Sequence, residues 1–187
     1  MSSTTINNRP SSGSGSLLIR FFANRRGTVA IEFAMIALPF FFMIFATLEV
    51  SLSFTAQQVM ANVTDDIARQ LRTGQLRAAD VSGQKLKQRI CARLLMPESG
   101  CPNLVVDLRS YASFASVPLA VPLTAGGDVN ATGFRNSPGG TGTINQLRIF
   151  YRWPIVSDFM RYRLDGIDGT GRTLLFSSAT WRNEPYL

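Results

Sequence analysis

Histidine is absent from all 187 residues, and cysteine occurs only twice. Without an imidazole, Ser-His triads and His-based acid–base chemistry are excluded, along with most metal sites. Cys91 and Cys101 match no zinc spacing. No Ser-Lys pair and no paired carboxylates stand at a catalytic spacing, so no enzyme activity, metal or cofactor is expected. Acids are missing from residues 1–27, where Arg9, Arg20, Arg25 and Arg26 carry four positive charges. Most of the net charge of +7 therefore sits ahead of residue 28, and +3 is left for the remainder. The one later basic cluster, Lys85, Lys87, Arg89 and Arg93, reads as a solvated helix face, so no nucleic-acid partner is expected.

Formal charge is also missing from Phe33 to Leu48, sixteen residues, and six of the thirteen phenylalanines lie between Phe33 and Phe54. Counted from Thr28 and tolerating Glu32, the apolar segment is 21 residues. At 1.5 Å per residue it spans about 31 Å, close to the ~30 Å hydrocarbon thickness of a bilayer. The arginines ahead of it place residues 1–27 on the cytoplasmic side and export the chain that follows. Met1 to Ser16 is a Ser, Thr, Asn and Gly stretch that cannot bury a core. The apolar segment is too long for a secretory signal and holds Pro39. Its small-x-small candidate, Ser51-Leu52-Ser53, falls inside a continuing helical pattern.

Arg25-Arg26-Gly27, with Glu32 five residues after the glycine, resembles the cleavage site of type IV prepilins. A cut after Gly27 would leave an ammonium on Thr28, one helical turn from Glu32. A carboxylate inside a membrane helix costs several kcal/mol unless it is paired or interfacial. The two charges would compensate each other within a chain or between neighbours; the plainer alternative leaves Glu32 unpaired among headgroups. Glu49 follows Glu32 by 17 residues, about 25 Å of helix, so the two carboxylates can reach opposite interfaces. Pro39 removes the backbone bond to the Met35 carbonyl and predicts a mid-span bend. That bend either serves packing against a neighbouring helix or is merely tolerated.

Beyond Glu49, Leu52, Ala56, Val59, Val63, Ile67 and Leu71 recur at steps of three and four with polar residues between them. This predicts one helix continuing to Thr73-Gly74, apolar in its first half and amphipathic in its second, a pilin-like pattern. Asp65 and Asp66 point about 100° apart on such a helix and read as a solvated acidic face. A second helix is expected from an Asp80 cap to about Leu95. Strands follow at Leu104 to Phe114, Thr143 to Trp153 and Arg172 to Arg182, the last alternating through Leu174, Phe176 and Ser178. Ser116 to Gly142 is a long Pro/Gly-rich irregular stretch. Gly139-Gly140-Thr141-Gly142 and Asp165-Gly166-Ile167-Asp168-Gly169 lack the context of a phosphate cradle or a calcium loop. In an oxidising compartment Cys91 and Cys101 could pair, worth roughly 2–3 kcal/mol for so short a loop; free thiols are the alternative.

The expected fold is α+β, with a small antiparallel sheet packed on the amphipathic half of the helix. It divides into a leader (1–27), a transmembrane helix (28–48), an amphipathic continuation (49–74) and an exported domain (75–187). Gly27 with Ala30-Ile31-Glu32-Phe33-Ala34 resembles the TadE-like family of pseudopilin-like components of the bacterial tight-adherence pilus system. Pro39, Glu49, Ala68-Arg69 before Thr73-Gly74, the cysteine pair and Arg182-Asn183-Glu184-Pro185-Tyr186 extend the resemblance. It implies a single-pass inner-membrane protein with a periplasmic domain, cut by a prepilin peptidase and needed for assembling an adhesive pilus. The implied partners are that peptidase, membrane lipid and other pilus subunits met through the membrane helix. A related branch carries a von Willebrand-type domain with an Asp-x-Ser-x-Ser metal motif, which this chain lacks. The competing reading is an unprocessed bitopic protein with a binding or sensing domain, whose sign would be a surface cluster of Tyr151, Trp153 and Tyr162.

Overall fold

A long helix and the strand beside it are matched in length. In α1 (Thr28–Arg72), the stretch from Glu49 to Arg72 rises about 35 Å at 1.5 Å per residue. Strand β4 (Arg172–Arg182) covers about 34 Å at ~3.4 Å per residue. The structure, a computed structural model, describes residues 27–95, 99–157, 161, 166, 167 and 169–185. Contacts divide the chain into two units between Ile44 and Phe45. In the described part of the first, α1 continues as regular helix on both sides of Pro39, and the large apolar side chains from Val29 to Met43 are exposed.

The second unit has an α+β fold. After the last turn of α1, Gly74 adopts φ +74°, in the left-handed region that a Cβ disfavours, and the chain turns away. A short 3-10 turn (Ala78–Asp80) and helix α2 (Lys85–Cys91) follow. The sheet contains β1 (Leu104–Tyr111), β2 (Asn136–Ser137), β3 (Ile144–Pro154) and β4, in the order β2-β1-β3-β4. β1, β3 and β4 are antiparallel neighbours, as alternation predicts. The two-residue β2 runs parallel to β1, so the sheet is mixed rather than wholly antiparallel.

The core lies between α1 and one face of the sheet. Ala56, Met60, Val63, Ile67 and Leu71 form the helical stripe. Opposite stand Leu104 and Leu108 of β1, Leu147, Ile149, Tyr151 and Trp153 of β3, and Leu175 and Trp181 of β4. Burying each large side chain contributes about 1.5–3 kcal/mol. Register puts Leu175 and Trp181 of β4 inward, so the alternation expected through Leu174, Phe176 and Ser178 describes the wrong face for the core; Phe176 packs outward on Phe150, with ring centroids 5.0 Å apart.

The second helix is shorter than its apolar pattern suggests. Asp80 does not cap it; its carboxylate instead accepts the backbone N–H of Arg77. Gly83, at φ +56°, separates the 3-10 turn from α2. Leu86 and Ile90 are fully buried, whereas Leu95 lies past the helix end and is exposed. The chain must reverse there because Cys91 and Cys101 form a disulfide, with Cα atoms 6.0 Å apart.

The Pro/Gly-rich stretch forms a third layer over the outer face of the sheet. Phe134 stacks on Phe150 at 5.5 Å, the Pro118 carbonyl accepts a hydrogen bond from Gln146, and Asp128 pairs with Arg152. This explains why β3 is buried along almost its whole length on both faces. Gly139 admits no side chain: a Cβ there would fall 2.3 Å from Thr143 Oγ1 and 2.9 Å from the Ser110 Cβ. Its N–H donates to buried Asn145, and its carbonyl accepts from Asn183. The glycine run before β3 is thus a packed turn.

Candidate functional site

The residues singled out in the sequence do not converge on one pocket. They lie at the start of α1, along it, and at its junction with the sheet. Gly27 immediately precedes the first helical residue, is exposed, and has open space around the position a Cβ would take. Thr28 opens the helix and Glu32 lies one turn on, both exposed. Arg25 and Arg26 lie outside the described residues. Pro39 is exposed within the continuous helix.

Glu49 is not a solvent-facing carboxylate. Its side chain turns in toward the chain after β3, and the residue is 9% exposed. Glu49 Oε1 accepts the backbone N–H of Val156 at 2.6 Å, and Oε2 accepts that of Ser157 at 3.2 Å. The Ser157 hydroxyl donates to Oε2 as well. These donors follow the end of β3, so Glu49 ties the helix to the β3–β4 connection. At the opposite end of the matched pair, the Glu184 N–H donates to the Arg72 carbonyl at 3.0 Å, and the two side chains form an ion pair at 3.1 Å. The sheet is fastened along α1 at both ends.

Other charges hold the layers together. Asp107 and Arg148, directly opposite in β1 and β3, form an ion pair at 2.6 Å with side chains only 1% and 4% exposed. Arg109 pairs with the same carboxylate, and the Arg135 N–H donates to its other oxygen. Asp66 accepts from Arg93 and Arg69, which hold its carboxyl below the usual value of 3.8. Asp65 beside it is exposed. Burial pushes the Asp128 carboxyl up, but hydrogen bonds from Arg152 and the Val129 N–H outweigh it and leave the group lowered.

Tyr151 and Trp153 are buried in the core, so they offer no surface aromatic cluster; Tyr162 lies outside the described residues. No cluster of three or more His, Cys, Asp or Glu suited to a metal occurs among the described residues. The sequence reading missed the Glu49–Ser157, Arg72–Glu184 and Asp107–Arg148 pairs. Only for the last was there a signal, the single acid of β1 and an arginine of β3 set inside apolar strand patterns.

An exposed apolar helix, long enough to cross a membrane, runs on into an α+β domain, an arrangement that fits a membrane-anchored protein. Residues 27–69 match the family model described as TadE-like protein, so the resemblance read from the sequence is borne out over the stretch from Gly27 to the last turns of α1. No curated protein and no solved structure matches the chain.

Proposed function

We propose that the chain is a pseudopilin-like component of a tight-adherence pilus system, held in the bacterial inner membrane by residues 28–48 and cut after Gly27 by a prepilin peptidase. Residues 1–27 face the cytoplasm, and the domain beyond α1 is periplasmic. Its part is structural, in pilus assembly, with other pilus subunits met through the membrane helix.

The observation that carries this reading is the sequence of events at one helix start. An accessible glycine precedes the first helical residue, and a carboxylate follows one turn later in an otherwise apolar exposed helix. Cleavage would set the new ammonium of Thr28 within a turn of Glu32, where the pair lowers the cost of placing a carboxylate in the membrane. Mass spectrometry of the protein from membrane fractions tests it. The expected mature chain begins at Thr28, and both deletion of the peptidase and Glu32→Ala change its processing or assembly. A chain that still begins at Met1, indifferent to both changes, overturns the reading.

A further inference from the structure

We propose that the base of the exported domain is itself seated in the bilayer surface, with Phe54 and Val156 as its contacts with the lipid headgroup layer. This rests on the membrane reading of α1 and goes beyond it, because it assigns the membrane contact to residues past the apolar span and to a second part of the chain.

By sequence, Glu49 marks the edge of the span. In the structure its charge does not face outward: it is nine-tenths buried and taken up by the Val156 and Ser157 N–H groups and the Ser157 hydroxyl. The outward surface of the helix therefore stays uncharged past Glu49, with the exposed Ser51 and Thr55 hydroxyls bonded back to the Thr47 and Ser51 carbonyls. Leu48, Leu52 and Phe54 are 55%, 50% and 67% exposed, and beyond Phe54 no large apolar side chain of α1 is exposed. Thr28 to Phe54 is about 39 Å of helix, longer than the ~30 Å hydrocarbon core but within the ~40–45 Å that includes both headgroup layers.

The β3–β4 connection is brought to the same level. Since the Val156 N–H is bonded to Glu49, Val156 cannot lie far from the helix turn that carries that carboxylate. Its side chain is 74% exposed, an apolar group presented near that turn of the helix. A cavity of about 400 Å³ opens beside Phe54, between Val50, Ser53 and Gln57 of the helix and Thr173 and Leu175 of β4. The bilayer is the occupant that fits: the exposed apolar positions Leu48, Leu52 and Phe54 follow the apolar span directly along the chain, within about one headgroup thickness of helix.

The test is spin-label accessibility in the full-length protein, reconstituted in phosphatidylethanolamine/phosphatidylglycerol vesicles with the native disulfide intact. Single cysteines are placed at exposed positions by Phe54→Cys, Val156→Cys, Ile36→Cys and Leu119→Cys. Positions 54 and 156 are expected to show a severalfold higher ratio of oxygen to nickel-chelate collision than position 119, and a lower ratio than position 36. If 54 and 156 match 119 while 36 remains oxygen-accessible, the seated base is overturned and the membrane helix stands. If position 36 also collides freely with the chelate, the membrane reading itself fails.

Discussion

Glu49 and Ser157, 108 residues apart in sequence, meet where the long helix enters the domain: the Ser157 N–H and hydroxyl both donate to the Glu49 carboxylate. A carboxylate accepting several hydrogen bonds leaves its donors unsatisfied when it is removed. Glu49→Ala is expected to destabilise the domain by about 2–3 kcal/mol, and Glu49→Gln, which keeps one acceptor oxygen, by less. Urea unfolding of the full chain in detergent micelles, followed by the fluorescence of Trp153 and Trp181, measures both. Equal losses for Ala and Gln would argue against the hydrogen bonds as the source.

The Asp107–Arg148 pair predicts a larger effect. Asp107→Ala leaves Arg148 buried without its counter-charge, with Arg109 deprived as well, at a cost of about 3–5 kcal/mol. Asp107→Leu combined with Arg148→Met restores a well-packed apolar pair and should recover much of that loss. The same unfolding assay checks the double variant, and no recovery would place the cost elsewhere than in the stranded guanidinium.

Reduction of the Cys91–Cys101 bond should cost roughly 2–3 kcal/mol, because the closed loop is short. The expected signature is a shift of the urea midpoint on adding reductant, absent from the Cys91→Ser/Cys101→Ser variant. Intact mass with and without reductive alkylation counts the thiols directly.

Asp66 and Asp128 set a direction for the acid limb. Both carboxyls are lowered in the folded protein, Asp66 chiefly by hydrogen bonds from Arg93 and Arg69, Asp128 by its bonds from Arg152 and Val129 overcoming burial. A lowered folded value contributes stability above the ordinary carboxylate range, lost as pH falls through the lowered value. The unfolding midpoint should change little through these groups above about pH 5 and fall below about pH 4. Arg93→Ala with Arg152→Ala should flatten that fall; an unchanged acid limb would assign it to other carboxylates.

Much of the architecture was legible because it rests on local pattern. The 3.6-residue period from Ala56 to Leu71, Gly74 after it, and the alternation of Leu147, Ile149 and Tyr151 each reflect a face that must be buried. The Arg172–Arg182 boundaries were also local, but which face of that strand points inward was not. Trp181 and Leu175 are inward because β4 pairs with β3 in one register, and register is a long-range property. Asp80 illustrates local competition: a cap-forming residue satisfied Arg77 of its own turn instead of the next helix. The Pro/Gly-rich stretch showed only that it was irregular, since its role as a cover depends on Phe134, Pro118 and Asp128 meeting strand residues far along the chain. At the candidate site, Gly27, Thr28 and Glu32 could be read directly from spacing. The partner of Glu49 could not, because Val156 and Ser157 carry no sequence mark of what their N–H groups reach.

The length match between the second part of α1 and β4 also governs when the domain can form. Gln57 bonds to the Phe176 carbonyl across 119 residues, and the inward side chains of β4 are made long after the helical stripe they cover. The apolar stripe of α1 is complete long before its cover leaves the ribosome. Contacts at such separation make folding slow, and they leave apolar surface exposed in the meantime. Under the proposed membrane reading, the apolar half of α1, synthesised before the sheet, lodges in the bilayer throughout that wait. On the same reading the chain is tethered while its sheet assembles, and the segment after β4, carrying Glu184 back to Arg72, closes the domain.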